Sequence, residues 1–235
     1  MIGIRPVALK AFIFDLDGVL TDSARYHYLA WKQLADEMGY EFDEEINERL
    51  KGISRARSFE IILEENNALN KFSAEEIERY SNLKNDLYVR LIDDITPDDL
   101  LPGIAGFLAE SRKNGIKLAV ASASKNAQKV LDLLGISSRF ACVADAARIE
   151  NHKPAPDIFL YCSEMLGCDP SECIGFEDAQ AGIEAINSAG MFSVGINVTV
   201  TSITPNIELK STNDLDFKLI IDKYESWVAG RSQAP

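Results

Sequence analysis

The chain has 235 residues, of which 46% are hydrophobic and 26% are charged, as in ordinary globular proteins. Its net charge of −13 disfavours nucleic acid and anionic membrane surfaces as partners, because both require a basic face. No apolar run approaches the roughly 20 residues of a membrane span, and residues 1–6 lack the long apolar core of a signal peptide. We therefore expect a cytoplasmic, monomeric protein that acts on a small molecule.

Cysteine and histidine usage narrows the kinds of metal and redox site. None of the four cysteines, Cys142, Cys162, Cys168 and Cys173, forms a CxxC pair, which disfavours a zinc or thioredoxin-like site. The chain has only two histidines, so a histidine-rich metal site has few candidate ligands. The sequence predicts reduced thiols, as is usual in the cytoplasm.

The first predicted element is a buried strand that ends at two acids. Residues 11–14 are small, aromatic or β-branched and fit a parallel strand that is buried on both faces. Asp15 and Asp17 follow, and because residues i and i+2 leave a strand on the same side, both can serve one site. Open α/β sheets bind ligands at this edge, and two close acids favour a cation between them or a proton on one. A simple turn, which Thr21-Asp22-Ser23 would also fit, is the alternative.

Helical patterns alone fill residues 24–96. Residues 25–38 carry apolar side chains at helical spacing and end at Gly39, a typical C-terminal cap. Residues 58–65 form a second helical pattern, and the capping box at Ser73-Ala74-Glu75-Glu76 begins a long third one. We expect this region to form an all-helical domain.

From residue 99 to 200, short apolar runs alternate with helical patterns, which predicts a doubly wound parallel sheet. The strand candidates are residues 116–121, 141–144, 173–176 and 192–196. Because the first strand precedes the helical region, the chain leaves the sheet, builds the helical domain and returns. The predicted organisation is an α/β core of residues 1–22 and 98–229, an inserted helical domain of residues 23–97, and a frayed tail of residues 230–235.

A second pair of acids lies at another predicted strand end. Glu177 and Asp178 follow the apolar run 173–176. Together with Asp15 they supply the hard oxygen ligands that Mg²⁺ prefers. Solvated acids that are stabilised by a helix dipole are the alternative interpretation.

A phosphate site is predicted beside these acids. Ser122 and Ala123 follow a strand candidate, and a hydroxyl with backbone N–H groups at a strand-to-helix turn binds anions. Lys153 is followed by two prolines within three residues, which stiffen its loop. Alone it would be a solvated surface lysine. Together with Asp15 and Ser122 it completes a site for a transferring phosphoryl group.

Residues 15–19, Asp-Leu-Asp-Gly-Val, resemble the DxDGxx(T/V) signature of the haloacid dehalogenase superfamily, whose phosphotransferases form an aspartyl-phosphate. Within that superfamily the chain resembles the β-phosphoglucomutase family from residue 11 to about 196, in segments 21–23, 26–27, 31, 50–55, 122–126, 153–157 and 175–183. The resemblance implies a haloacid-dehalogenase-like, Rossmann-like doubly wound core in which the helical insertion is a cap domain.

The resemblance also implies the roles of individual residues. Asp15 is the nucleophile that carries the phosphoryl group, and Asp17 is the general acid and base. Magnesium is bound by the side chains of Asp15, Glu177 and Asp178 and by the backbone carbonyl of Asp17. The other residues implied to bind phosphate or substrate are Ser122, Ala123, Ser124, Lys125, Asn126, Lys153, His27, Trp31, Lys51, Gly52, Arg55, Ser58 and Lys84.

Two of these groups separate a mutase from a phosphatase. Residues 51–55 in the helical region and residues 124–126 in the core would form a second phosphate site if both face one cleft, since Arg favours bidentate phosphate binding. A phosphatase of small monophosphates needs one phosphate site, whereas a mutase that handles a bisphosphate needs two. The residues alone leave open that Arg55 and Arg57 are surface charges, Lys84 is an ordinary polar helix residue, and His27 and Trp31 form a packed helix face.

We therefore expect an Mg²⁺-dependent phosphomutase that interconverts β-glucose 1-phosphate and β-glucose 6-phosphate, with β-glucose 1,6-bisphosphate as intermediate and activator. The sugar and its anomer are implied by the resemblance alone. The first alternative is a haloacid-dehalogenase-type phosphatase of hexose or other small sugar phosphates, with water as the acceptor. A non-catalytic Mg²⁺-binding protein is a further alternative, and the intact set of Asp15, Asp17, Lys153 and Asp178 argues against it.

Overall fold

The computed structural model describes residues 8–198 and 202–231. Its core is a parallel sheet of strands β1 (Ala11–Phe14), β2 (Lys117–Val120), β3 (Cys142–Val143), β4 (Cys173–Glu177), β5 (Phe192–Ile196) and β6 (Ile207–Leu209). Their spatial order is β3-β2-β1-β4-β5-β6. The five predicted strands are confirmed. The sixth, β6, has three residues and is too short to give a pattern in the sequence.

Helices surround the sheet and form the insertion. The insertion contains α1 (Ala24–Met38), α2 (Glu44–Glu48), α3 (Arg55–Glu65) and α4 (Ala74–Leu91). The sheet packs against α5 (Ile104–Lys113), α6 (Ala127–Leu133), α7 (Asp157–Leu166), α8 (Gln180–Ser188) and α9 (Phe217–Arg231). Residues 22–99 are all described and contain no β-strand, as their helical patterns predict. No helix within the described ranges is long and apolar enough to cross a membrane.

Capping residues explain where the helices of the insertion begin and end. α1 ends at Gly39, whose φ of 73° lies in the left-handed region. The predicted capping box at Ser73 begins α4. α3 begins at Arg55, three residues earlier than the sequence predicts, because the Ser54 hydroxyl accepts the N–H of Arg57 and caps the helix there.

The last helix corrects part of the predicted tail. α9 continues to Arg231, so Gly230 and Arg231 are helical, although the sequence predicts that both fray. The rest of that tail, residues 232–235, and residues 1–7 of the predicted core lie outside the described residues. The domain boundaries themselves stay a prediction.

Aromatic packing on one face of the sheet holds β1 in place. The ring of Phe12 stacks on Phe107 of α5 with 5.4 Å between centroids, and Phe14 stacks on Phe176 of β4 at 4.5 Å. The opposite face of β1 is equally buried and packs against α7 and α8. Burial on both faces explains why β1 is continuously apolar. It also fixes Asp15, the next residue, at the edge of the sheet.

Two linkers connect the sheet to the insertion, and they lie side by side. Thr21 and Leu100 form an antiparallel bridge, and the N–H of Leu101 donates to the carbonyl of Leu20 at 2.9 Å. The first linker follows the carboxyl end of β1. Both linkers are therefore close to that edge of the sheet, and the insertion lies over it.

Candidate active site

The predicted catalytic residues follow the carboxyl ends of three neighbouring strands. Asp15 comes directly after β1, Ser122 comes two residues after β2, and Glu177 is the last residue of β4. Because β2, β1 and β4 are adjacent and parallel, their ends meet at one edge. The pairing continues one residue further, since the N–H of Asp15 donates to the carbonyl of Phe176 at 2.9 Å. The sheet thus brings together residues that are far apart in the chain.

A buried lysine joins two of the carboxylates. Lys153 Nζ lies 2.6 Å from Asp15 Oδ1 and 2.6 Å from Glu177 Oε1, and all three side chains are buried. Burial alone lowers the pKa of an ammonium group. Here the two negative charges outweigh burial and raise the pKa of Lys153, so the lysine stays protonated beside the predicted nucleophile.

Glu177 is held in place by its backbone and by a neighbouring helix. Its Oε2 accepts the backbone N–H groups of Asp178 and Ala179, both at 2.8 Å. A Cβ atom at Gly182 on α8 would collide with the Glu177 carboxyl group, so that group occupies space that only glycine leaves free. The consequence is that Glu177 positions Lys153 beside Asp15.

Asp17 lies next to Asp15 and has its own set of contacts. Its backbone N–H donates to Asp15 Oδ2 at 2.9 Å. Its carboxylate accepts a hydrogen bond from the buried Ser23 hydroxyl, and its Oδ2 lies 3.8 Å from His27 Nε2. Burial raises the pKa of Asp17 despite the Ser23 hydrogen bond. A raised pKa favours the protonated form that a general acid needs.

The acids carry more negative charge than Lys153 can balance. In the part of the chain that the structure describes, the Asp178 carboxylate has no hydrogen-bond or ion-pair partner. It lies so close to Gly18 that a Cβ atom there would collide with it. Burial, with the charges of Glu177 and Asp15, raises the pKa of Asp178 well above its ordinary value. An unpaired, half-buried carboxylate among other acids favours a bound cation.

The predicted magnesium ligands lie at one edge of the sheet without forming a preassembled cluster. No three His, Cys, Asp or Glu side chains converge as metal ligands in the described ranges. Lys153 lies between Asp15 and Glu177, and both carboxylates accept hydrogen bonds on each of their oxygens. The predicted donor set, the side chains of Asp15, Glu177 and Asp178 with the Asp17 carbonyl, stays a prediction.

Hydroxyl groups order the turn that follows β2. Ser122 Oγ accepts the N–H of Ser124 at 3.1 Å, and Ser124 Oγ accepts the N–H of Asn126 at 3.2 Å. Ser122 is buried, whereas Ala123, Ser124 and Lys125 line the adjacent cavity. The turn therefore forms a compact wall behind the position predicted for phosphate.

A cavity of about 580 Å³ lies between the sheet edge and the insertion. The predicted residues that line it are Asp15, Asp17, Asp178, Ala123, Ser124, Lys125, His27, Trp31, Lys51, Gly52, Arg55, Ser58 and Lys84. Four predicted residues lie behind the wall in contact with those that line it: Ser122, Asn126, Lys153 and Glu177. Each predicted residue therefore either lines the cavity or contacts a residue that does.

The insertion touches the core at the catalytic lysine. Gly52 has a φ of 74°, and a Cβ atom there would lie 3.6 Å from Lys153 Cδ and 3.7 Å from the Ala179 Cβ. A glycine in this left-handed conformation lets the loop after α2 turn directly over the ion pair. The structure is therefore of a state in which the insertion covers the core site.

A lysine, a histidine and Asp17 form a chain along the insertion side. Lys84 is buried, and its Nζ lies 2.5 Å from His27 Nδ1. With Nδ1 as the acceptor, the ring hydrogen is on Nε2, which faces Asp17. The His27 ring also stacks on Tyr88 at 3.9 Å between centroids. His27 and Lys84 thus contribute to the site, while Trp31 both lines the cavity and stacks on a buried aromatic ring.

Two arginines of α3 have opposite surroundings. Arg57 is exposed and forms ion pairs with Glu60 at 3.0 Å and Glu64 at 2.7 Å. Arg55 lines the cavity, and within the described residues it forms no ion pair. Its nearest partner is a neutral amide, the Oδ1 of Asn85, at 2.8 Å. Of the two, only Arg57 is a surface charge, and the charge of Arg55 is available to a ligand.

Sequence reasoning missed three residues of the site. Ser23 holds Asp17, Asn85 contacts Arg55, and His152 lines the cavity. Ser23 lies in a segment that also fits a turn, and the polar helix residue Asn85 has no signal beyond its position next to Lys84. Their roles depend on contacts across the cavity, which a single sequence does not show.

We predict that Gly182→Ala lowers turnover at least tenfold, because the new methyl group displaces the Glu177 carboxylate and with it Lys153. The measurement is steady-state hydrolysis of acetyl phosphate. The matched control is Gly106→Ala on α5, where a Cβ atom meets nothing within 4 Å. That change should leave turnover unaltered and raise the free energy of unfolding by up to about 1 kcal/mol. Turnover of the Gly182→Ala protein within twofold of the wild type would contradict the positioning role of Glu177.

Comparisons of the sequence with known proteins identify its family and its relatives. Residues 9–190 match the family model of haloacid dehalogenase-like hydrolases. The chain is 43% identical over 219 residues to a β-phosphoglucomutase of Bacillus subtilis (strain 168), which covers 93% of this chain and 97% of that protein. A fructose-1-phosphate phosphatase of Escherichia coli (strain K12) is 30% identical over 189 residues, 79% of this chain and 95% of that protein.

A solved structure gives the same result for the fold. The crystal structure of a β-phosphoglucomutase from Clostridium difficile matches with a TM-score of 0.91 at 50% identity, and the match covers 94% of this chain and 99% of that one. The predicted fold class, a doubly wound parallel core with a helical insertion, is confirmed. On both sequence and structure, the chain belongs to the β-phosphoglucomutase family of haloacid dehalogenase-like hydrolases.

Proposed function

We propose that this enzyme interconverts β-glucose 1-phosphate and β-glucose 6-phosphate through an aspartyl-phosphate and β-glucose 1,6-bisphosphate. The observation that carries the proposal is that one cavity has cationic groups on two separate walls. Lys153 lies behind Asp15 on the core side, and Arg55 lines the insertion side. The names of the Bacillus subtilis and Clostridium difficile relatives support the choice of sugar.

The unpaired cationic side chains that line the cavity favour a mutase over a phosphatase. Within the described residues, neither Arg55 nor Lys125 forms an ion pair, although both line the cavity of a chain with a net charge of −13. Unpaired cations in such a chain attract an anionic group against the overall field. A monophosphate hydrolase has no use for a second phosphate site, whereas a bisphosphate intermediate requires one.

The chemical step takes place at Asp15. A carboxylate oxygen attacks phosphorus, an acyl phosphate bond forms, and the bond from phosphorus to the sugar oxygen breaks. Asp17 gives a proton to the departing oxygen and, in the reverse sense, takes one from the attacking hydroxyl. Lys153, held at 2.6 Å from Asp15, balances negative charge on the moving group.

Reorientation of the bisphosphate completes the reaction. The phosphoenzyme first gives its phosphate to β-glucose 1-phosphate, and Asp15 then takes back the other phosphate. Water must be kept from the acyl phosphate in the meantime. Gly52 supports this requirement, because its loop lies directly over Lys153 and Ala179.

Magnesium fits the cluster of acids at the sheet edge. The carboxylates of Asp15, Glu177 and Asp178 and the carbonyl of Asp17 would hold it, and when bound it supplies positive charge to the phosphoryl oxygens. Glu177 also contacts Lys153 at 2.6 Å. A cytoplasmic location and a monomeric state stay predictions from the sequence.

The proposed function predicts glucose 6-phosphate formation without release of free phosphate. The measurement is a coupled assay with β-glucose 1-phosphate, Mg²⁺ and a trace of the bisphosphate, with free phosphate followed in parallel. Release of one phosphate per sugar consumed, with no glucose 6-phosphate, would establish the phosphatase alternative instead.

Arg55→Ala should lower kcat/KM for the mutase reaction by about 10–100-fold, because it removes a charge-assisted bidentate contact with the distal phosphate. Acetyl phosphate has no distal phosphate, so its hydrolysis should change less than twofold. The matched control is Arg57→Ala on the same helix, which should leave both reactions unaltered because Arg57 pairs with Glu60 and Glu64. An equal loss in both reactions would mean that Arg55 supports the fold.

The third prediction is that chelation of divalent cations abolishes turnover and that Mg²⁺ restores it. Asp178→Asn should raise the Mg²⁺ concentration needed for half-maximal activity at least tenfold. In metal-free buffer the same variant should be as stable as the wild type or more stable, since it removes a charge that the neighbouring acids Glu177 and Asp15 repel. Activity that persists in excess chelator, or a large loss of stability without metal, would contradict this site.

A further inference from the structure

We propose that Asn85 is a positioning residue that assembles the second phosphate site across the boundary between insertion and core. The inference deepens the proposed function and rests on it, because it concerns the residues that would bind the distal phosphate. It starts from one amide oxygen. Asn85 Oδ1 accepts a hydrogen bond from Arg55 Nη2 at 2.8 Å and another from Asn126 Nδ2 at 2.8 Å.

The three side chains come from two helices of the insertion and from the residue before a helix of the core. Arg55 begins α3, Asn85 lies in α4, and Asn126 directly precedes α6 in the core. Since two N–H donors converge on the same atom, that atom must be an acceptor, and the orientation of the Asn85 amide follows from this requirement. Asn85 thus connects the arginine of the insertion to the phosphate-side turn of the core.

The partner of Arg55 is neutral, and this matters for binding. An amide oxygen holds the guanidinium in one place without cancelling its charge. Arg57 shows the opposite case on the same helix, because its two glutamates pair with its charge. Asn85 therefore fixes the direction of Arg55 and leaves its charge available to an anion.

The two hydrogen bonds that Asn85 Oδ1 accepts form a bridge between Arg55 and Asn126. Asn126, at the core end of this bridge, makes further hydrogen bonds. The N–H of Asn126 donates to Ser124 Oγ, and the N–H of Ser124 donates to Ser122 Oγ. The hydrogen bond from Asn126 to Asn85 therefore links Arg55 to the whole turn that carries Lys125. Another polar contact between insertion and core, Lys129 to Asp93 at 2.6 Å, involves two exposed side chains and neither residue lines the cavity.

It follows that Asn85 acts on ligands that carry a distal phosphate and on no others. The bridge connects Arg55 to the turn that carries Lys125, and both residues line one cavity, so we expect them to bind the same distal phosphate. A substrate without a distal phosphate does not use this arrangement. Asn85 itself need not touch the substrate for the effect to appear.

The test compares two asparagines of α4. Asn85→Ala removes both hydrogen bonds and should raise KM for β-glucose 1,6-bisphosphate about tenfold, while kcat/KM for acetyl phosphate hydrolysis stays within twofold. The matched control is Asn82→Ala, because Asn82 also contacts Arg55, at 3.4 Å, and forms no hydrogen bond to the core within the described residues. Its KM for the bisphosphate should rise less than threefold.

A second variant distinguishes the effect of residue 85 on the orientation of Arg55 from its effect on the charge of Arg55. Asn85→Asp keeps an acceptor for both donors but pairs with Arg55, so the melting temperature should equal or exceed that of the wild type while KM for the bisphosphate rises again. Asn126→Ala should raise KM by itself and should add less than twofold when combined with Asn85→Ala, because both remove the same bridge.

These outcomes decide the inference separately from the proposed function. Consumption of the bisphosphate involves a distal phosphate whether the enzyme is a mutase or a phosphatase, so its KM reports on Asn85 in either case. The inference is overturned if Asn85→Ala and Asn82→Ala have equal effects, if acetyl phosphate hydrolysis falls in parallel, or if the effects of Asn85→Ala and Asn126→Ala are additive.

Discussion

The active site depends on the buried ion pairs that Lys153 makes with Asp15 and Glu177, both at 2.6 Å. Removing an ammonium group from water costs several kcal/mol, which only close opposite charges offset, and loss of one partner from such a pair typically costs about 3–5 kcal/mol. The three residues come from β1, the loop before α7 and β4, so the pairs constrain the relative positions of these elements at the sheet edge. Glu177 is itself fixed by two backbone N–H groups and by the absence of a side chain at Gly182. The order of the strands, the register of β4 against β1 and the glycine of α8 therefore all support one ammonium group beside the nucleophile.

Cationic side chains have different kinds of partner on the two sides of the cavity. On the core side Lys153 is fully paired and stays in one position, which suits a group that must meet the same phosphoryl oxygens in every turnover. On the insertion side Arg55 and Lys84 have an amide and an imidazole as partners, and in the described ranges neither forms an ion pair. The positive charge of Arg55 is then available to a ligand, whereas burial and the neighbouring Arg55 lower the pKa of Lys84 well below its ordinary value. In a chain with a net charge of −13, this local arrangement is what allows a doubly charged sugar phosphate to bind.

The parts of the molecule that the sequence predicts best are those with local causes. Asp15 and Asp17 follow a run that is apolar because β1 is buried on both faces, and the capping box at Ser73 satisfies its own helix end. The start of α3 and the end of α9 were less evident, because Ser54 caps α3 four residues before the predicted helical pattern begins and the last turn of α9 contains a glycine. Glu177 shows a different limit. The sequence identifies an acid at a strand end, but it does not show the contact with Lys153, which comes from a loop 24 residues away.

The residues that perform the reaction and the residues that would select the substrate also lie in different parts of this fold. The residues that perform the chemical step come from ends of adjacent strands, so any sheet with this strand order brings them together. The residues that would select a substrate with a second phosphate, Arg55 of the insertion and Lys125 of the core, both line the cavity between insertion and core. Their alignment depends on a single neutral oxygen, that of Asn85, rather than on the sheet. A change at α3 or α4 can therefore alter which sugar phosphate is accepted without disturbing Asp15, and this separation is a physical reason why one core supports both the mutases and the phosphatases to which the chain is similar.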